Sequence, residues 1–467
     1  MTLDLSPPPP LGTTRLHRFP GWLAALGPGI VWMALAQGSG ELIWWPYLIA
    51  KYGLGFLVLL TPACLVQYPV TYAIGRYSML TGESVWRGFA RVHPAFCFVL
   101  WLLMVVAFLW FGAFASAGGT ALARLIAWPP LDDRGRALFW ASTTIAVFAV
   151  ALLRGERTYA LIEKVMWTVA VMTVVGLLVS VTRVEVRGAW PEFLRALVVP
   201  APLVRPFDPA DTDRVLTALT FAGLGGFWTL FYSYWVLGKG MGAAWREIDG
   251  TGGVPPREEA PLARRWSRAL LVDAGVGIVG NWLTTLMTCF LAFVILLPRG
   301  VVPDEWRIAS EQARFFELAW GAVGRAIFLV VAAAFLCDTW LSTVDAVAKV
   351  HVEMIRFFFL RGREIDERLA YRRMVVLLTA VTALTMFSGE PGPLIVLSAL
   401  IGFVGTLAFV VALLVLLHGR LAAALPAELR PGRLSLVLLL VAAATYGALA
   451  VAYLWTRLAG VRGLTGA

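Results

Sequence analysis

Cysteine is scarce in this chain and is not arranged for chemistry. Four cysteines among 467 residues, Cys64, Cys97, Cys289 and Cys337, form no CxxC pair and sit beside no histidine at ligand spacing. That excludes a disulfide framework and a zinc site, and their apolar surroundings mark them as small fillers. Charge is also sparse, at 15% of residues, with only four histidines. The chain contains no GxxxxGK[ST], GxSxG or HExxH, so an ATP-driven pump or a hydrolase would lack its usual residues. No enzymatic activity and no cofactor are expected. After Arg15 and Arg18 no short apolar segment ends in a small-residue cleavage site, so no removable signal peptide is expected. Residues 1–21, with Pro7 to Pro10, read as a flexible cytoplasmic tail.

Apolar residues are abundant. They make up 59% of the chain, and the mean hydropathy is +0.77. These values place the chain among polytopic membrane proteins, all-α and partnered by a lipid bilayer. The formal charge of +10 does not call for nucleic acid, because the arginines concentrate in short loops, where they set orientation. Hydrophobic runs predict eleven spans, near 22–50, 55–79, 95–127, 137–153, 160–182, 215–237, 268–297, 323–355, 374–389, 391–417 and 434–457. Lys and Arg favour the side that holds the N-terminus, which predicts a cytoplasmic N-terminus in a bacterial inner membrane. With eleven spans the C-terminus lies outside. The split between the ninth and tenth spans rests on Ser388-Gly389-Glu390-Pro391-Gly392 as a tight turn.

Two spans are interrupted. Gly38-Ser39-Gly40-Glu41 places helix breakers and a carboxylate inside the first, and Gly223 to Thr229, with three glycines, interrupts the sixth. Freed backbone groups cannot turn to water in hydrocarbon, so such breaks must be sheltered or line a cavity. Paired breaks in corresponding halves point to an inverted-repeat secondary transporter with its site near the midplane. The chain therefore divides into a first repeat (22–182), a second repeat (215–417) and an added eleventh helix (434–457) within one transporter domain, 1–467. Gly38, Ser39, Gly40, Glu41, Gly226, Phe227, Thr229, Leu230 and Tyr232 are the expected substrate-binding residues, with Glu41 as a metal ligand. A glycine packing seam with a snorkelling Glu remains the alternative at the first break. The aromatics around both breaks, Trp44, Trp45, Tyr47, Trp228, Phe231, Tyr234 and Trp235 among them, fit either a cation-holding pocket or interfacial packing. In the segment 183–214, Asp208, Asp211 and Asp213 read as a solvated cap before the sixth helix, with the acids at its N-terminus.

From Gly27-Pro28-Gly29 through Gly38-Ser39-Gly40-Glu41 and Tyr52-Gly53 to Thr81-Gly82-Glu83, the chain resembles the start of the Nramp family of divalent-metal transporters. Later echoes are Leu341-Ser342-Thr343 to Glu353, Arg372-Arg373 and Leu394 to Ser398. The resemblance implies a LeuT-type fold, a 5+5 inverted repeat with helices 1 and 6 broken, and coupling to protons. Its metal motifs do not carry over. The family's metal-binding Asp and Asn of the first break fall on Gly38 and Glu41. Its Met-Pro-His of the sixth falls on Leu230-Phe231-Tyr232, its tenth-helix Gln on Ala399, and its third-helix acids on Gly119 and Leu122. The chain is similar to a divergent member.

The eighth span holds further buried charge. Asp338 lies thirteen residues past Arg325, roughly 20 Å into the membrane at 1.5 Å per residue. In LeuT-type transporters this span packs beside the first break and some members bind Na⁺ there, so the resemblance implies Asp338, with Ser342 or Thr343, as the coupling-ion site. Asp345, Lys349 and Glu353 at i, i+4 spacing read as a neutralising ladder. Asp273, near the start of the seventh span, fits a structural or a functional role equally.

Three functions remain open: transport of a small cation, divalent by resemblance; transport of a small organic solute such as an amino acid, its carboxylate held by backbone N–H groups at a half-helix terminus; or a non-transporting sensor. The coupling ion would be H⁺ or Na⁺. Because Leu230 supplies no lone pair where a thioether would favour soft metals, any metal bound should show no preference for Mn²⁺, Fe²⁺ or Cd²⁺ over Mg²⁺ and Ca²⁺. Isothermal titration checks this, and micromolar Cd²⁺ binding lost on mutating either break would refute it.

Overall fold

The computed structural model describes residues 3–38, 43–154, 158–183, 185–245, 252–303 and 311–465. Ser39, Gly40 and Glu41 lie outside the described residues. The chain is a bundle of helices with one two-stranded parallel pairing, Gly12–Thr13 beside Gly253–Val254. The first span is broken into α1 (Pro28–Ala36) and α2 (Trp44–Tyr52). Gly53 then reverses the chain with φ 72°, a left-handed backbone that favours glycine. There follow α3 (Gln67–Thr81), α4 (Pro94–Ala107) running into α5 (Gly112–Leu125), α6 (Asp133–Arg154) and α7 (Thr158–Val181).

The second half repeats the plan. Its opening span is broken into α8 (Thr212–Thr220) and α9 (Tyr232–Lys239), with a short 3₁₀ turn, Gly226–Phe231, leading into α9. Then come α10 (Ala260–Leu291), α11 (Arg314–Phe359), α12 (Glu367–Thr385), α13 (Pro391–Val415) and α14 (Arg433–Thr465). α11 carries non-helical backbone at Trp320 and Gly321, so its membrane-crossing part begins after them.

Among the described residues eight helices are long and apolar enough to cross a membrane, fewer than the eleven spans expected. The difference has a physical reason. The first and sixth spans are each broken into pieces too short to qualify alone, and α12 carries Glu367, Arg368, Arg372 and Arg373 in its first two turns. Helix boundaries otherwise follow the hydrophobic runs closely.

Two corrections concern the ends of the bundle. The stretch expected to be a flexible tail is laid along the bundle end by backbone bonds: Asp4 N–H to Phe358 O at 2.8 Å, Gly12 N–H to Gly252 O at 2.9 Å, and His17 N–H to Gly242 O at 2.9 Å. Arg361 donates to Ser6 O and Pro7 O, and Trp266 Nε1 to His17 O. At the other end, Asp211 is not a solvated cap but fully buried. It accepts from Lys51 at 2.6 Å, Tyr52 at 2.6 Å and Arg214 at 2.7 Å, with the Tyr47 hydroxyl at 3.1 Å. Asp208 does cap, accepting from Ala210 N–H at 2.9 Å. The Asp211 cluster ties α2 to α8.

Burial pushes the Asp211 carboxyl up, but the hydrogen bonds from Lys51, Tyr52 and Arg214 outweigh it and hold the group below its ordinary value. A depressed folded-state pKa contributes stability above the unfolded value, near 4, and that contribution is lost as pH falls through the folded value. Asp211→Asn should therefore cost about 2–4 kcal/mol at neutral pH. Its deficit in Tm against the native chain should shrink as the pH falls below about 4.

Candidate functional site

The two breaks and α11 converge. A Cβ added at Gly38 would stand 2.1 Å from Thr339 Oγ1 and 2.6 Å from Phe335 O, so the first break lies flush against α11. One added at Gly223, in the sixth break, would stand 2.5 Å from Gln67 Oε1 and 2.7 Å from the Trp32 ring of α1. Trp228 Nε1, within that break, donates to Thr343 Oγ1 on α11 at 2.9 Å. Larger side chains at Gly38 or Gly223 would force the three elements apart.

Two stretches of backbone are satisfied by side chains of neighbouring helices: the start of α1, at the end away from the first break, and the sixth break. α1 starts without a side-chain cap of its own. The Asp273 carboxylate of α10 fills that role, accepting from Gly27 N–H at 2.8 Å and Gly29 N–H at 2.6 Å, and from the Tyr232 hydroxyl at 2.7 Å. A carboxylate at a helix N-terminus is favoured by the helix dipole as well as by these donors. Close approach makes the capping possible: a Cβ at Gly29 would meet Asp273 O at 1.8 Å, and one at Gly277 would meet Gly29 O at 2.7 Å. At the sixth break Gln67 works in both directions. Its Nε2 donates to Thr220 O at 3.2 Å and its Oε1 accepts from Gly225 N–H at 3.4 Å. Gly225 and Gly226 have φ of 63° and 52°, conformations that side-chain-bearing residues avoid.

Both donors and acceptors remain unmatched near the breaks: among the described residues the indole N–H groups of Trp32, Trp44 and Trp45 have no partner, and neither do several oxygens. Asp338 is 1% exposed, and neither carboxylate oxygen has a hydrogen-bond partner among the described residues. Gln37, at the C-terminal end of α1, donates its Nε2 to Thr284 Oγ1 at 2.6 Å but leaves Oε1 without a partner among the described residues. The same holds for Thr220 Oγ1 at the C-terminal end of α8. The C-terminal ends of half-helices carry partial negative charge, so unmatched oxygens there and a buried carboxylate beside them form an environment suited to a cation. No group of three or more His, Cys, Asp or Glu side chains is placed to hold a metal among the described residues.

The expected site residues divide. Gly38 meets Phe335 and Thr339 of α11, the turn that carries Asp338; Ser342 Oγ donates to Asp338 O at 2.9 Å within the helix, and Thr343 is engaged by Trp228 of the sixth break. Thr229 and Leu230 are buried in the sixth break. Gly226 and Phe227 turn to α13: a Cβ at Gly226 would meet Gly402 Cα at 3.0 Å, and the Phe227 ring stacks on Trp86 and faces Gly405. The Tyr232 hydroxyl is committed to Asp273. The ladder reading of α11 is half right. Lys349 pairs with Asp345 at 2.6 Å, whereas Glu353 pairs instead with Arg87 at 3.0 Å and accepts from Ser84 and Tyr234.

Sequence reasoning missed Gln37, Gln67 and Thr284. The signal for the two glutamines was present, since each is an uncharged polar side chain inside an apolar run. What they bond to, 153 and 247 residues away, was not.

No family model matches the chain. A protein of Pasteurella multocida described as uncharacterized is 22% identical over 401 residues, covering 83% of each chain. The Eremococcus coleocola manganese transporter, solved with an aromatic bis-isothiourea compound, is similar in structure. Its TM-score is 0.63 at 15% identity, over 96% of this chain and 90% of that one. A mutant form of the same transporter gives 0.65 at 13% identity, over 97% and 91%. MhsT in complex with L-phenylalanine gives 0.51 at 16% identity, over 95% and 100%. The chain has the LeuT-type fold. The all-α expectation with helices 1 and 6 broken is met on the described residues around both breaks.

The Asp273 cap generates a prediction of its own. Asp273→Ala would leave Gly27 N–H, Gly29 N–H and the Tyr232 hydroxyl without their acceptor, at about 1 kcal/mol or more for each donor. Thermal unfolding of the purified variant should show a loss of about 3 kcal/mol, and an unchanged Tm would remove the cap from the list of stabilising contacts.

Proposed function

We propose that this chain is a secondary-active transporter that moves a small cation by alternating access, with Asp338 as the charged group that couples transport to an ion gradient. The observation that carries the reading is the Asp338 carboxylate, buried beside the first break with both oxygens unmatched among the described residues. An ionisable group left so deep in a membrane protein is costly, and such groups mark ion pathways. The similar fold of a manganese transporter supports a cation as cargo. The site here offers oxygen and no thioether at Leu230, which favours a hard divalent ion. The N-terminus lies on the cytoplasmic side of a bacterial inner membrane, as the arginine distribution favours. Glu41, which lies outside the described residues, is proposed from the sequence alone as a second carboxylate of the site, and H⁺ or Na⁺ is the coupling ion.

A second reading, a small organic solute, is favoured by the aromatic wall at the same junction. Trp228 meets Phe108 at 4.5 Å, Phe114 at 5.8 Å and Phe221 at 5.5 Å, all edge to face. MhsT, solved with L-phenylalanine, shares the fold.

A thermal-shift screen against Mg²⁺, Ca²⁺, Mn²⁺ and the amino acids separates the readings, since a ligand at a hundred times its Kd stabilises by about 2.7 kcal/mol. Uptake into liposomes under an imposed pH or Na⁺ gradient then tests the role of Asp338. Asp338→Asn should lose gradient-driven accumulation while keeping part of the exchange, and Glu41→Gln should abolish accumulation. Native accumulation by both variants would overturn the assignment.

A further inference from the structure

α11 carries more polar groups than the break site uses, and they lie on one stripe. Asp338, Ser342, Asp345, Lys349 and Glu353 fall within an arc of about 80° at 100° per residue, over about 22 Å of helix. The stripe runs from the unmatched Asp338 toward the end of the bundle where Arg87 and Tyr234 meet Glu353. Asp345 stands midway. It is 1% exposed, yet its Oδ2 pairs with Lys349 Nζ at 2.6 Å and its Oδ1 accepts from the Tyr371 hydroxyl of α12 at 2.7 Å. The Lys349 side chain is 32% exposed, so a buried carboxylate is joined through one ammonium to the edge of the protein.

We propose that this stripe is the route by which the coupling proton passes between Asp338 and that end of the bundle, with Asp345 and Lys349 as its relay. The proposal rests on the reading of Asp338 as the coupling group. Its proton balance closes within the chain's own groups. Lys349 releases one proton to the solution and becomes neutral. Protonated Asp338 passes its proton to the Asp345 carboxylate by way of the Ser342 hydroxyl, which must first swing off the Asp338 backbone carbonyl that it meets at 2.9 Å. Asp345 hands it to the Lys349 amine, which restores the ion pair and leaves Asp338 ionised. One proton leaves Asp338 and one enters the solution. The titratable and charged groups facing the relay are Lys349 and Tyr371 at Asp345, and Arg87 and Tyr234 at Glu353, with the Ser84 hydroxyl beside them. Cys337 adjoins Asp338 along the helix, and its sulfur faces Gly118 of α5.

The alternative is that Asp345 and Lys349 only neutralise each other. The full chain in vesicles of phosphatidylethanolamine and phosphatidylglycerol, loaded with a pH-sensitive dye, separates the two under a potassium diffusion potential, negative inside. The native chain should acidify the vesicles. Asp345→Asn should do so at least tenfold more slowly, with its elution on size exclusion retained, and Asp345→Glu should restore most of the rate. Should Asp345→Asn fail to fold, Asp345→Asn with Lys349→Met leaves no buried charge unpaired and carries the same expectation. Native proton flux in Asp345→Asn alongside lost flux in Asp338→Asn would overturn the relay and leave the break site standing. Native flux in Asp338→Asn would overturn the coupling assignment and the relay with it. A native chain no faster than protein-free vesicles would overturn the relay.

Discussion

A helix that starts or breaks inside a packed bundle leaves backbone groups that protein must take up, and two side chains meet that demand here, one at the start of α1 and one across the sixth break. Asp273 supplies the acceptors for the start of α1, and Gln67 supplies both a donor and an acceptor across the sixth break. Neither residue belongs to a broken span. Each comes from the helix that follows one in the chain, α3 after the first break and α10 after the second, and each serves the other repeat's broken span. The two halves are thereby cross-linked through their irregular backbone. Holding α1 to Tyr232 through one carboxylate also joins the first half-helix to α9.

That exchange explains how much of the molecule was legible in the sequence. Span positions follow from hydrophobic runs, and the breaks from glycine clusters, because both are local consequences of composition. Asp345 with Lys349 was legible for the same reason, being a contact at i, i+4 on one helix. Glu353 obeys the same spacing and yet turns to Arg87, Ser84 and Tyr234, since two other elements present better donors than the helix itself. The Pro-rich stretch before the first span reads as tail by composition, but its backbone finds acceptors on segments more than two hundred residues away, at Gly242, Gly252 and Phe358. No local pattern announces a long-range backbone partner.

The same limit applied to the acids. Asp211, Asp273 and Asp338 are all fully or almost fully buried, and their spacing in the sequence ranks them no differently. Their partners do. Asp211 has two cations and two tyrosine hydroxyls, and Asp273 has two backbone N–H groups and a tyrosine. Both are satisfied structural carboxylates of the kind whose removal costs more than their presence contributes. Asp338 has no such partner among the described residues.

An unmatched carboxylate at that depth is the part of the structure that packing does not explain. Its burial cannot be offset by its own helix, since the one nearby hydroxyl, Ser342, is committed to the Asp338 backbone carbonyl. Thr339 Oγ1 is bonded to Phe335 O, and Thr343 to Trp228. The hydroxyls of α11 nearest the carboxylate are thus assigned to backbone or to another side chain, so the helix that carries Asp338 does not offset its burial. Gln37 Oε1, an acceptor, and the Thr220 hydroxyl, which can donate or accept, are likewise unmatched among the described residues at the negative ends of α1 and α8. Indole N–H groups of Trp32, Trp44 and Trp45 are also unmatched among the described residues near the breaks, so what sets Asp338 apart is a charge-bearing group without a partner there.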